Sequence, residues 1–543
     1  MSTAGLLVAA TLLLPLAMTA LCVISAFRAR ALSLLVLAPI PALMAALWAP
    51  EGTLVFFPAP FRMTLTLDRP GALLLGGAAL LWSAAGAFAA AYMAGKPRTA
   101  GFAIWWLLTL AGSLGTFVVA DIASFYLVYG LVSLAAFGLI AHEQTARAQH
   151  AGTVYVVLAL VGEACLLLAF VMLAAGSPEA NPLIRDVVAK LPSSPMRDGI
   201  VALLILGFAL KMGLVPLHVW LPLAHPAAPM PASAVLSGVV VKAGVIGLIR
   251  FLPFDSGLPG WGAVLMLVGI VTAYYGVIVG VTQLRAKTIL AYSTVSQMGL
   301  LAVLLGISLG EGDPGGVNLV AYYGVHHTLV KGGLFLAVGI VAATGGARLR
   351  PVLLLTAILA LSLGGLPLTS GALAKLATKP TLGYGALGMA MSVAAAGSTL
   401  LMLHFIATVA GDARGNAETV APASEVVPWL VVALAALVVP WSLYPAVSGD
   451  PALSALQPDA IWKLVWPMAL GGVAMLLLRR FRAVSGSIPE GDILVLAERC
   501  GPAVRRLGVG VEHLDAGLRR WPVAGLLLLC IAIALAGSLI AWR

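Results

Sequence analysis

Long apolar runs follow one another along almost the whole chain, separated by short segments that carry most of the charged residues. A helix needs about 20 predominantly apolar residues to cross the hydrocarbon of a bilayer. The runs near this length lie close to residues 4–26, 31–49, 70–93, 102–120, 122–141, 151–175, 199–217, 231–251, 260–282, 288–308, 316–343, 351–373, 384–410, 425–446, 461–480 and 521–541. The pattern predicts an all-α polytopic membrane protein with about sixteen transmembrane helices.

Two segments between the runs have patterns of their own. Residues 50–69 alternate apolar and polar positions and contain prolines, which predicts a short hairpin. In residues 483–520, apolar positions recur at roughly helical spacing with arginines between them. This pattern predicts an amphipathic cytoplasmic helix that lies along the membrane or against a partner, with a flexible surface tail as the alternative.

The composition agrees with a membrane protein and excludes several other classes. Of the 543 residues, 61% are hydrophobic and 10% are charged, whereas soluble domains carry about 25% charged residues. The four cysteines are scattered and form no CxxC pair, so no iron–sulfur, zinc or disulfide pattern is present. We therefore expect no metal and no cofactor. The net charge of +10 is better explained by basic loops that set topology than by nucleic-acid binding.

The basic residues give the orientation of the predicted helices. If the N-terminus lies outside, one set of loops is cytoplasmic and carries Arg28, Arg30, Lys96, Arg98, Arg147, Arg285, Lys287, Arg348, Arg350, Arg414, Arg479, Arg480 and Arg482. The basic residues of the opposite side, Arg250 among them, are mostly offset by carboxylates such as Asp68 and Asp255. This asymmetry predicts a protein of the bacterial inner membrane with both termini periplasmic or extracellular.

One stretch, residues 211–244, interrupts an apolar run and flanks the interruption with lysines. It reads KMGLVPLHVWLPLAHPAAPMPASAVLSGVVVKAG and begins with Lys211 and ends near Lys242. Gly213 and Pro216 break the helix, and His218 and His225 follow them. Ammonium groups and broken backbone at membrane depth normally face a protein interior or a wet cavity. The stretch predicts a polar path inside the membrane; the alternative is that the lysines snorkel to the membrane surface.

A second interrupted run lies in residues 351–373, which contain LSLGGLPLTSG and precede Lys375. Its predicted break falls at Gly364, Gly365, Pro367 and Gly371. Interrupted spans at matching places in two halves point to an inverted repeat. We accordingly expect an N-terminal three-helix region (1–100), two inverted five-helix repeats (101–251 and 252–410) and C-terminal helices (411–543).

Between the two breaks lies the sequence YYGVHHTLVKGGLFL. Tyr323, His327 and Lys331 are four residues apart, so they share one helix face. Histidine titrates near physiological pH, and together with His326 these residues form a candidate proton relay. The preceding segment places Ser293, Ser296 and Gln297 in another span, where they either hydrate a cavity or pack helices together.

Four blocks of this sequence resemble the antiporter-like subunits of respiratory complex I, membrane-bound hydrogenases and Mrp-type cation/proton antiporters. The blocks are residues 211–244 and the sequences KTILAYSTVSQMG, HHTLVKGGLFL and GGLPLTSGALAK. The resemblance implies inverted five-helix repeats with discontinuous seventh and twelfth spans. It further implies that Lys211 is the central lysine of the first half-channel and Lys242 the eighth-span lysine. His327 and Lys331 would form the eleventh-span relay, and Lys375 would end the path.

One position departs from the family pattern. The family has a glutamate after a tryptophan in the fifth span, whereas this chain has Gly130 after Tyr129. Without that carboxylate, the charged form of Lys211 loses its stabilising partner. Glu163 in the sixth span is the first candidate to replace it, and Asp121 is the second.

The resemblance implies two alternative functions. In the first, the chain is a proton- or cation-translocating subunit of a multisubunit energy-converting complex, in contact with other membrane subunits and the lipid bilayer. In the second, it is an accessory subunit that has lost coupled pumping, as Gly130 would indicate. Because the sequence has no motif for a quinone, flavin, nucleotide or metal, any redox centre is expected in another subunit. The choice between H⁺ and Na⁺ stays open.

Overall fold

The fold is described from a computed structural model, which covers residues 3–49, 53–56, 62–179, 181–413, 419–480 and 488–495. The described residues up to Glu490 belong to one compact unit, and the unit boundary lies between Glu490 and Gly491. The predicted last helix (521–541), Cys500, Cys530, Arg414, Arg482 and most of the predicted amphipathic segment lie outside the described residues.

The described chain is mainly helical. Its helices are α1 (Thr3–Leu21), α2 (Ser25–Arg28), α3 (Ala31–Leu34), α4 (Ile40–Trp48), α5 (Arg69–Tyr92), α6 (Thr99–Gly115), α7 (Ile122–Ile140), α8 (Ala146–Ala174), α9 (Ile184–Lys190), α10 (Arg197–Met212), α11 (Trp220–Ala227), α12 (Met230–Val235), α13 (Val241–Phe251), α14 (Pro259–Gly280), α15 (Ala286–Glu311), α16 (Gly316–Ala342), α17 (Leu349–Gly364), α18 (Ser370–Leu382), α19 (Ala386–Asp412), α20 (Ala423–Ser448) and α21 (Pro458–Arg480). A π-helical segment, Leu236–Val240, joins α12 to α13.

Within the described residues, 12 helical segments are long and apolar enough to cross a membrane. They coincide with twelve of the predicted runs, which confirms a polytopic helical membrane protein. Three other predicted runs contain shorter helices: residues 31–49 hold α3 and α4, residues 102–120 hold α6, and residues 199–217 hold α10. Prolines at 39 and 41 and the glycine at 213 account for two of these short helices. The total of about sixteen stays a prediction.

The hairpin predicted in residues 50–69 is present as two antiparallel strands, β1 (Thr53–Phe56) and β2 (Met63–Thr66). Asp121 anchors β2, because its carboxylate accepts a hydrogen bond from the Thr64 backbone amide at 2.6 Å. The same carboxylate caps the first turn of α7 by accepting from the Ser124 amide at 2.8 Å. Asp121 therefore joins the hairpin to the start of α7.

The two central helices, α15 and α16, have 100% and 89% of their spanning windows buried within the protein. Glycines allow α14 to pack closely against α15. A Cβ atom added at Gly269 would stand 2.7 Å from the Gly299 carbonyl oxygen, and one added at Gly262 would stand 2.6 Å from the Gly306 carbonyl oxygen. Small residues at such contacts let membrane helices approach backbone to backbone. The packing fixes α15 beside α16, which carries the predicted relay.

A buried arginine connects three elements at one end of the bundle. The Arg250 side chain at the end of α13 is 8% exposed. Its guanidinium donates to both Asp68 carboxylate oxygens and to the carbonyl oxygens of three residues that follow α6, namely Thr116, Phe117 and Val119. Carbonyls at a helix end lack intrahelical donors. Arg250, which the sequence pattern treats as a loop charge, is thus part of a structural clamp.

Replacing Arg250 with lysine keeps the charge but removes the planar fork that reaches several acceptors at once. We expect Arg250→Lys to lower the free energy of unfolding by about 1–2 kcal/mol, because some acceptors lose a charged donor. Thermal unfolding of the purified variant in detergent measures this change. Arg185→Lys is the matched control, since the Arg185 side chain is 82% exposed. An equal melting temperature for the two variants would contradict the clamp.

Candidate functional site

The first predicted break is present between α10 and α11. Helix α10 ends at Met212, and Gly213 adopts the left-handed conformation with φ of 76°. A Cβ at this position would stand 2.2 Å from the Leu221 side chain, so only glycine fits. The chain then runs without helix to Trp220, whose indole nitrogen donates to the Leu210 carbonyl oxygen at 2.9 Å. The break therefore leaves Lys211 in the last turn of a half-helix.

The second predicted break separates α17 from α18. Helix α17 ends at Gly364, and Gly365 has φ of 101°, which favours glycine. Pro367 follows in the non-helical segment. The half-buried Lys375 side chain donates to the Gly364 carbonyl oxygen at 2.6 Å, which satisfies one carbonyl at the end of α17. A lysine thus lies beside each of the two helix breaks.

Lys211 lies in a buried cluster with a serine and a carboxylate. Lys211 is 2% exposed, and Glu163 on α8 is 7% exposed. Lys211 Nζ donates to Ser133 Oγ on α7 at 2.6 Å, and the Ser133 hydroxyl donates to Glu163 Oε1 at 2.5 Å. The Tyr155 hydroxyl accepts a further bond from Lys211 at 3.3 Å. The serine therefore bridges the ammonium group and the carboxylate.

Two aromatic rings complete the surroundings of Lys211. Its Nζ atom lies 5.3 Å from the centroid of the Tyr129 ring and 5.4 Å from that of the Tyr155 ring. A cation within about 6 Å of a ring face is attracted by the ring quadrupole. Lys211 thus has two aromatic rings, a hydroxyl and a nearby carboxylate around it in a buried environment.

Lys242 and His327 meet between α13 and α16. Both side chains are buried, and Lys242 Nζ is in hydrogen-bonding contact with His327 Nδ1. Lys242 also donates to the Ser237 carbonyl oxygen in the π-helical segment, at 3.3 Å. π-Helical turns are frequent at functional sites. The Thr328 hydroxyl donates to the Gly238 carbonyl oxygen at 2.8 Å, which holds this segment against α16.

Two further members of the predicted relay, Tyr323 and Lys331, contact α15. Lys331 Nζ donates to the Leu290 carbonyl oxygen at 2.8 Å and to Ser293 Oγ. The Tyr323 hydroxyl donates to Gln297 Oε1 at 2.5 Å, and the Gln297 amide donates to Ser398 Oγ at 3.0 Å. Tyr323, His327 and Lys331 are all buried. One face of α16 therefore carries three ionisable groups, each with a polar partner.

The remaining histidines have separate surroundings. His326 Nδ1 lies 2.9 Å from Ser370 Oγ, which connects α16 to the start of α18 at the second break. The His218 ring packs edge-on against the Tyr275 ring, with centroids 4.9 Å apart. The His225 ring lies 4.8 Å from that of Phe335. Among the described contacts, neither His218 nor His225 is bonded to Lys211 or Lys242.

The middle of the chain matches a known protein family. Residues 119–408, slightly more than half of the chain, match the family described as NADH:quinone oxidoreductase/Mrp antiporter, transmembrane. The chain belongs to this family. It is 30% identical over 300 residues to hydrogenase-4 component B of Escherichia coli (strain K12), a match that covers 52% of this chain and 44% of that protein. It is 31% identical over 345 residues to NADH-quinone oxidoreductase subunit N of Desulforudis audaxviator, which covers 60% of this chain and 66% of that subunit.

A solved structure agrees with the family assignment at the level of fold. The Mrp complex from Dietzia sp. DQ12-45-1b contains a chain that superposes with a TM-score of 0.77 and 21% identity. The superposition covers 99% of this chain and 63% of that chain. The family match over residues 119–408 confirms the resemblance drawn from the four sequence blocks.

In this member of the NADH:quinone oxidoreductase/Mrp antiporter family, the space beside Gly130 faces Glu163. A Cβ atom added at Gly130 would have one heavy-atom neighbour within 4 Å, Glu163 Oε2 at 4.0 Å. The Glu163 carboxylate on α8 thus lies where a side chain at residue 130 on α7 would point. Asp121, the second candidate, instead bonds to β2 and α7, as described above.

The sequence patterns missed three groups at these sites. Ser133 and Tyr155 bond directly to Lys211. Lys287, which the pattern placed in a cytoplasmic loop, donates to the Ala228 carbonyl oxygen at 2.6 Å at the end of α11. The sequence offered one signal, and only for Ser133. This residue lies about one helical turn after Gly130, so the two are neighbours on α7.

Proposed function

We propose that this chain is a proton- or cation-translocating antiporter-like subunit of a multisubunit energy-converting membrane complex. The observation that carries the proposal is the buried Lys211–Ser133–Glu163 cluster beside a broken helix. Ionisable groups inside a membrane are costly and mark ion pathways more often than packing contacts.

In the first half of the proposed path, Lys211 holds the moving charge. The Glu163 carboxylate stabilises the ammonium form through the Ser133 hydroxyl, and the rings of Tyr129 and Tyr155 add to this stabilisation. The serine can donate to the carboxylate while it accepts from the lysine. Release of the ion then requires a change in the Glu163–Lys211 interaction, which the partner subunits would drive.

The second half of the proposed path uses Lys242, His327 and Lys331, with Tyr323 and His326 beside them. Lys242 and His327 are in hydrogen-bonding contact, so a proton on one nitrogen can be shared with the other. Lys375, at the second break, would end the path. The two broken helices would belong to the inverted five-helix repeats at 101–251 and 252–410.

The partners follow from the relatives, which are named as components of hydrogenase-4, of NADH-quinone oxidoreductase and of an Mrp complex. We infer that this chain contacts other membrane subunits of a comparable assembly and that any redox centre lies in one of them. We infer that the chain lies in a bacterial inner membrane with its N-terminus outside, because this orientation places the basic loops in the cytoplasm.

The second candidate is an accessory subunit without coupled pumping. Gly130 favours it, because the family glutamate is absent from the fifth span. The placement of Glu163 next to Gly130 weighs against it, since a carboxylate still reaches Lys211 through one hydroxyl.

The proposal is tested by purifying the tagged chain from its native membrane together with the subunits that bind it. Mass spectrometry identifies the partner subunits. The redox reaction of these subunits, or an imposed ion gradient, then provides the driving reaction. In sealed vesicles, we expect this reaction to move protons or sodium ions, followed by a pH-sensitive dye and by a sodium indicator. An assembled, active complex that moves neither ion would favour the accessory role.

A further inference from the structure

A small cavity between α15, α16, α18, α19 and α21 gathers three lysines. It has a volume of about 60 Å³, and Lys375, Lys379 and Lys463 are among its lining residues. Within the described part of the chain, no aspartate or glutamate lines it. The cavity therefore concentrates positive charge without a carboxylate in its wall.

The acceptors among the described lining residues are neutral hydroxyl, amide and carbonyl groups, such as those of Gln297 and Ser392. Lys375 and Lys379 are four residues apart on α18, so their side chains lie on one face of the helix. Lys375 donates to the Gly364 carbonyl oxygen, and Lys379 donates to Ser392 Oγ at 2.7 Å. Each ammonium group has three donors, so further donors remain for an acceptor inside the cavity.

Lys463 adds a third positive charge to the cavity, from a part of the chain outside the family match. It lies on α21, beyond the matched residues 119–408. Its Nζ atom is 2.5 Å from Asp459 Oδ2, and the Asp459 side chain is 73% exposed to the surface. The Asp459 carboxylate lies at the surface and offsets part of the Lys463 charge. The charges of Lys375 and Lys379 have no carboxylate beside them in the described cavity wall.

We propose that this cavity binds one small inorganic anion of halide size. Like charges four residues apart repel each other, and a bound anion removes the repulsion while it accepts the remaining hydrogen bonds. The volume has room for a few waters or one such ion. The proposal concerns binding at equilibrium and does not depend on ion translocation.

The test is equilibrium binding of radioactive chloride to the purified full-length chain in nanodiscs, in a gluconate buffer without an ion gradient. We expect saturable binding of one chloride per chain. Lys379→Gln and Lys463→Gln should each weaken it about tenfold or more, because each removes a charged donor. Lys379→Arg should retain binding, and Lys190→Gln, at an exposed lysine far along the sequence, is the matched control.

Each outcome decides the proposal. If Lys379→Gln does not fold, Lys463→Gln gives the same test at a side chain that is 31% exposed. The absence of saturable chloride binding to the native chain would overturn the proposal and indicate that only water fills the cavity. Equal binding by the native chain and by Lys463→Gln would also overturn the assignment of the site.

Discussion

Ion movement falls to background when Lys211 is replaced by alanine, while the complex still assembles. The lysine is the charge-carrying group of the proposed first half-path, and alanine cannot bind a proton. Assembly persists because the Glu163 carboxylate keeps its hydrogen bond from Ser133 and becomes neutral by protonation. We expect the initial rate in sealed vesicles to fall at least about a hundredfold, equivalent to roughly 2.7 kcal/mol in the barrier.

The control for this prediction is Lys190→Ala, which removes an exposed lysine near the surface of the same unit. It should move ions at the native rate. Both variants are compared at equal insertion, measured by the amount of chain that copurifies with its partners. Native transport by a correctly assembled Lys211→Ala complex would exclude Lys211 from the path.

Glu163→Gln impairs transport by removing the anion that stabilises charged Lys211. Glutamine can still accept a hydrogen bond from Ser133, so the change isolates the charge. An opposite charge within a few ångströms stabilises the charged form of an ionisable group by roughly 1.4–4 kcal/mol. We therefore expect the rate to fall by about tenfold or more.

A second carboxylate at residue 130 should restore part of this loss. A Cβ atom at residue 130 would meet one atom from another helix, Glu163 Oε2 at 4.0 Å, so a side chain introduced there begins beside the Glu163 carboxylate. The double variant Glu163→Gln with Gly130→Glu places an anion where the family normally carries one. Gly130→Gln in the same background is the matched control, because it adds the volume without the charge. Native transport by Glu163→Gln alone would contradict the replacement of the family glutamate by Glu163.

The helix breaks could be predicted because glycine and proline change the backbone conformation at their own positions in the chain. Gly213 and Gly365 both adopt positive φ at the residues where the apolar runs are interrupted. The lysines beside the breaks could also be predicted, because a charged residue inside an apolar run is visible in the sequence. The hairpin could be predicted from the alternation of apolar and polar positions in residues 50–69 and from the prolines in that segment.

The partners of these lysines could not be predicted from the sequence. Ser133, Glu163 and Lys211 lie on three different helices, and their contact depends on the rotation and depth of each helix. These helices are apolar on most faces, so no periodic stripe indicates which side faces the protein. The clamp formed by Arg250 escaped prediction for a related reason, because three of its acceptors are backbone carbonyls that any sequence would supply.

The most direct test of the account is the number of ions moved per turnover of the driving reaction. This ratio is measured in sealed vesicles that contain either the native complex or the Lys211→Ala complex, at equal rates of the driving reaction. If this chain carries ions through Lys211, the native complex moves more ions per turnover than the variant. An identical ratio for the two complexes would contradict the account and show that the chain does not contribute to translocation.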